Sequence, residues 1–82
     1  MTVAQILAQH EEAMLKAMTP TQRTAQRRKW NGLEVQIRNA FTSPQIDVET
    51  LVRIATSGEL RPTFQPTADR MLQHPDMQAR AQ

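Results

Sequence analysis

Residues 19–41 read TPTQRTAQRRKWNGLEVQIRNAF, and two signals inside them point in opposite directions. Thr19-Pro20-Thr21-Gln22 is a helix start. Thr19 stands at the N-cap, and Pro20 takes the first helical position, where a missing N–H costs nothing. Gln22 follows three residues after the cap, within reach of the cap N–H. Further on, Asn31-Gly32 is the dipeptide of a type I′ hairpin turn, and Leu33, Val35 and Ile37 alternate as a strand would. Trp30, Leu33, Ile37, Ala40 and Phe41 nevertheless share one helical face. The residues from Arg23 to Lys29 show no alternation that could supply a partner strand. The spacing therefore predicts a helix that runs through Gly32 or kinks there, with a hairpin over residues 30–37 as its rival.

Upstream of this stretch, Val3, Leu7, His10, Met14 and Ala17 recur every three or four residues, and Ile6 and Ala13 widen the stripe into an amphipathic first helix. Gln5, Gln9, Glu12 and Lys16 occupy its other face. Downstream, Thr42-Ser43-Pro44 ends the second helix. Ser43 or Asp47 is a candidate cap for a third helix bearing Val48, Leu51, Val52 and Ala55, and Gly58 is expected as its C′ residue. Leu60 and Phe64 lie in a proline-bracketed connector, Arg61 to Pro66, expected to be extended and to be tacked onto the helices by those two side chains. Thr67 can cap a short fourth helix carrying Ala68, Met71 and Leu72. The expected fold is all-α: a small bundle of three main helices plus a short fourth, with the second helix antiparallel to the first and the third across the pair. Residues 1–75 form one domain and 76–82 a frayed, flexible tail. The expected core is Ile6, Leu7, Met14, Trp30, Leu33, Ile37, Phe41, Val48, Leu51, Val52, Ile54 and Leu72.

Composition narrows the function. The 82 residues contain no Cys, two Gly and five Pro, with a formal net charge of +2. Only about twenty large apolar side chains are available, a thin core for a domain without disulfides. Disulfide scaffolds, thiolate catalysis and Cys-based zinc sites are excluded. No apolar run approaches the roughly 18 residues needed to span a bilayer, and no secretory leader is evident, so a cytoplasmic chain without a membrane role is expected.

Charge is distributed unevenly. Arg23, Arg27, Arg28, Lys29 and Arg38 face only Glu34 between residues 22 and 41, so that stretch carries +4. Arg23, Arg27, Arg28 and Lys29 adjoin Trp30, the only tryptophan. Such a group could neutralise phosphates, with Trp30 stacking on a base or packing under Arg27. It could instead form a partner-binding patch, since Trp and Arg are the residues most often found at hot spots. The bland alternative is a solvated helix end with Trp30 in the core. Val3, Leu7, His10 and Met14 form a possible helix-pairing seam, too short to define a coiled coil alone.

Other constellations carry less. A helix-turn-helix over Val48 to Leu72 fails because Pro62 and Pro66 bracket its reading helix, which would also hold too few cations. His10 and His74 have no acidic or Cys partner at ligand spacing, so no metal and no cofactor are expected. Glu11 and Glu12 are adjacent and diverge by about 100°, which prevents them from facing one another across a substrate. Ser43 and Ser57 sit at helix boundaries with capping roles to fill. With no catalytic residue to nominate and no small-molecule substrate implied, the sequence reads as a non-enzymatic protein–protein interaction module, an adaptor, subunit or inhibitor that binds a protein partner or itself. A small nucleic-acid binder using the same basic helix is the alternative.

Overall fold

A computed structural model describes residues 1–77. Its helices are α1 (Val3–Lys16), α2 (Pro20–Thr42), α3 (Val48–Ala55) and α4 (Gln65–Leu72), and residues 75–77 are again helical. There is no strand among the described residues. The helix start at Thr19 is realised in full. The Gln22 N–H donates to Thr19 Oγ1 at 3.2 Å, and the Thr19 N–H donates to Gln22 Oε1 at 2.9 Å. Thr2 and Gln5 build the same reciprocal cap on α1. α2 then continues for 23 residues through Asn31-Gly32 without a break, so the helix prevails over the hairpin.

The boundaries beyond α2 differ in detail from expectation. Ser43 terminates α2, its hydroxyl donating to the Ala40 carbonyl at 3.1 Å and the Gln45 carbonyl at 2.6 Å. Asp47 caps α3, accepting from the Thr50 N–H at 3.1 Å and the Thr50 hydroxyl at 2.7 Å. Those two hydrogen bonds, the hydroxyl's first, hold the Asp47 carboxyl below its ordinary range. Gly58 has φ +74°, the left-handed geometry expected of it. It lies beyond the cap Thr56 and a further Ser57, one residue later than a C′ position. α4 begins at Gln65, two residues before Thr67, because Pro66 suits a first turn that needs no donor there. The connector is a turn and not extended: both the Phe64 and Gln65 N–H groups donate to the Arg61 carbonyl, at 2.9 and 3.1 Å.

α3 packs closely on α2 and α4, whereas α1 makes no comparably close backbone approach to another helix. The core consists of Ile37, Ala40, Leu51, Ile54, Ala55, Leu60, Phe64, Ala68 and Met77. Leu33, Phe41, Val48, Met71 and Leu72 pack on its edge. Ala68, fully buried, lets α4 come close without a side chain between. Leu60 and Phe64 tack the connector down as expected, and Arg38 lies over the Phe64 ring at 5.3 Å. Ile6 and Val52 are not core: they are 52 % and 40 % exposed. Met77 is only 2 % exposed, so the packed region extends past residue 75. The rest of the expected tail, residues 78–82, lies outside the described residues.

The Cα radius of gyration is 14.1 Å, against about 12 Å for a compact chain of this length. The thinnest dimension, 16 Å, allows no more than two helix layers. The geometry is that of a small three-helix body with α1 held loosely beside it.

Candidate interaction surface

On an α-helix, successive side chains turn by about 100°, and this rotation breaks up the basic cluster. Arg23, Arg27 and Trp30 fall within one sector, Arg28 points about 100° away from Arg27, and Lys29 about 100° further. The four cations therefore surround α2 and do not form one stripe. Arg23 is half-buried, and Arg27, Arg28 and Lys29 are exposed. Lys29 Nζ lies 3.2 Å from Glu59 Oε1, an exposed pair. Arg27 and Arg28 have no carboxylate within 4.0 Å among the described residues.

Trp30 does not contribute to an exposed patch. It is 1 % exposed, and Arg61, not Arg27, covers it, with the guanidinium carbon 5.4 Å from the ring centroid. Arg61 Nη2 also donates to Asn31 Oδ1 at 2.9 Å and lies 3.5 Å from Glu34 Oε2. Its Nε is buried without an acceptor. One connector side chain thus latches onto three residues of α2 through a cation–π contact, a hydrogen bond and an ion pair. Sequence reasoning missed this latch because nothing local to Arg61 points 30 residues upstream.

The seam of α1 splits in two. Leu7 and Met14 are half-buried, together with Glu11, Leu15 and Met18. Val3 and His10 are exposed, along with Ile6, Ala13 and Ala17. At about 100° per residue, the apolar arc of α1 spans about 200°, twice the roughly 100° that a surface helix needs to seat itself. The body covers only one half.

Glu11 sits in the middle of the covered half. Its Oε1 accepts from the Thr63 hydroxyl at 2.8 Å and from the Thr63 N–H at 3.3 Å. Glu11 and Glu12, which diverge on the helix, thus have separate roles, since Glu12 pairs with Lys16 one turn on at 3.5 Å. The signal is present in the sequence: Leu7, Met14, Leu15 and Met18 surround Glu11 on the helix, and Leu15 lies outside the expected stripe. Where α1 meets the connector and α4, a cleft of about 300 Å³ opens between Val3, Ala4 and Leu7 on one side and Thr63, Pro66, Thr67 and Arg70 on the other. That is the lower end of the size range of ligand sites, and Thr63, Thr67 and Arg70 are the polar residues of its walls.

His74 packs edge-on against Phe41 with centroids 5.4 Å apart, and its Nδ1 accepts from the Asp76 N–H at 3.2 Å. No group of three or more His, Cys, Asp or Glu side chains that could hold a metal ion occurs among the described residues. No helix among them is long and apolar enough to cross a membrane. In comparisons with known proteins, no family model matches this chain, and neither a curated protein nor a solved structure is significantly similar to it.

Proposed function

We propose that this chain is a small non-enzymatic protein–protein interaction module, an adaptor, subunit or inhibitor, acting in the cytoplasm. It engages a protein partner or its own copy through the outer face of α1, with Arg27 and Arg28 as flanking charged contacts. The supporting observation is the uncovered half of the α1 arc, where Val3 is 70 % and Ile6 52 % exposed on a regular, well-capped helix. Removing such surface from water is worth about 25 cal/mol per Å². A helix presenting one apolar face to a groove or to another helix is a common recognition mode.

The exposed Arg27 and Arg28, which have no ion-pair partner among the described residues, favour one alternative, a nucleic-acid binder. Three or four phosphate contacts would give an affinity that falls about 40- to 150-fold between 50 and 200 mM salt. Light scattering at those two salt concentrations, with and without a mixed-sequence oligonucleotide, separates the readings. Association that persists at 200 mM salt and disappears in Ile6→Asp supports the module, as does a lysate protein retained by the parent chain but lost with Ile6→Asp. Salt-labile oligonucleotide capture, abolished by joint Arg27→Gln and Arg28→Gln substitution, would replace it with the alternative.

A further inference from the structure

We infer that two copies of this chain pair through the outer faces of their α1 helices, antiparallel, with the two His10 side chains meeting at the two-fold axis. The inference rests on the interaction-module reading and names its partner as a second copy. The exposed residues Val3, Ile6, His10, Ala13 and Ala17 are spaced 3-4-3-4, the spacing of a helix-pairing seam. Their sizes are graded along the helix: two branched aliphatics lead, His10 stands at the centre, and two alanines follow. An antiparallel two-fold through His10 sets Val3 of one copy opposite Ala17 of the other, and Ile6 opposite Ala13. Large meets small in the layers on either side of the His10 pair, which keeps the helix separation even along the contact. A parallel pairing would crowd Val3 and Ile6 against their own copies and leave a gap between facing alanines.

Charge selects the same arrangement. On the flank of the outer face lie Thr2, Gln9 and Lys16. The antiparallel two-fold places Gln9 beside Gln9, and Lys16, already bridged to Glu12, opposite Thr2. The parallel alternative would bring like ends of the two helix dipoles side by side. Glu11 is engaged with Thr63 on the covered half and stays out of the contact. A lipid surface fits this face poorly, because Lys16 is its one flanking cation and interfacial helices rely on several.

Fourteen residues make α1 about 21 Å long, and a single helix pair buries less than the ~800 Å² per partner of a stable complex. The dimer is therefore weak and forms only at high protein concentration.

The absence of cysteine in the chain permits a direct geometric test on the full protein. Under mild oxidation, His10→Cys should form a disulfide dimer on its own, at least ~10-fold faster than a Val35→Cys control on the exposed face of α2. Val3→Cys alone should not, whereas an equimolar mixture of Val3→Cys and Ala17→Cys should. Sedimentation equilibrium of the parent chain should show mass rising towards dimer with concentration, and Ile6→Asp should weaken this at least ~10-fold with unchanged helicity. Preferential Val3→Cys homodimers would overturn the antiparallel register, and a dimer indifferent to Ile6→Asp would overturn the interface. A chain that stays monomeric at millimolar concentration overturns self-pairing. In that case, Ile6-dependent capture of another protein would leave the module reading standing, and its absence would remove both.

Discussion

α1 and α3 make an instructive pair. Both are amphipathic and both are side-chain capped, but α3, with 8 residues, buries Leu51, Ile54 and Ala55, whereas α1, with 14, buries none. Length and helix propensity favour α1, and burial favours α3. In water, helices of this length are marginal alone and owe most of their stability to packing. The shorter helix should therefore be the more stable element of this molecule.

Substitutions can break or sharpen that contrast. Leu51→Ala, which empties a fully buried site between helices, should cost about 2–5 kcal/mol by urea denaturation; a loss below about 1 kcal/mol would show that α3 is not the centre of the core. Arg61→Ala removes the cover of Trp30 and strands Glu34, which is only 15 % exposed, and should cost about 1–3 kcal/mol. If Arg61→Ala matches the wild type, the latch is ornamental. Thr19→Ala should cost about 1 kcal/mol through its cap, and an unchanged melting temperature would place the α2 start elsewhere. Gly32→Ala should stabilise by about 0.5–1 kcal/mol, since a Cβ there meets nothing within 4 Å. Ile6→Asp should change monomer stability least, by no more than about 0.5 kcal/mol, despite placing a charge where an isoleucine was.

The α3 cap adds a pH dependence that α1 lacks, because its Asp47 is ionisable and Thr2 is not. The folded-state pKa of Asp47 is depressed. Its contribution is thus present above the ordinary carboxyl pKa of 3.8 and is lost as pH falls through the lower folded value. Titration of α3 amide shifts between pH 5 and 2 should show this, and Asp47→Asn should flatten it.

The sequence made the second helix legible because its evidence is local. Thr19, Pro20 and Gln22 are neighbours, and the absence of alternation before Trp30 answered the hairpin question within a few residues. The face of α3 was legible in part: Leu51 and Ala55 turn inward, but Val52 is exposed and Ile54 is buried in its stead. What could not be read there depends on contacts across the chain: Arg61 with Trp30 and Asn31, Thr63 with Glu11, and Met77 with the core. In the sequence the Arg cluster and Trp30 form one hot-spot patch, yet a buried Trp30 leaves the cationic surface to Arg27 and Arg28. For α1 the difficulty was of another kind. An apolar arc twice as wide as seating requires cannot reveal by periodicity which half turns inward, and the sequence-level seam took two residues from each.

Native-state hydrogen exchange, followed residue by residue at low and high protein concentration, tests most directly the claim that α1 is loosely held and faces a second copy. At low concentration the α1 amides should exchange through openings far below the global unfolding free energy, while those of Leu51 and Ile54 approach it. Raising the concentration should slow α1 selectively. Protection of α1 equal to that of α3, and the same at both concentrations, would contradict the account.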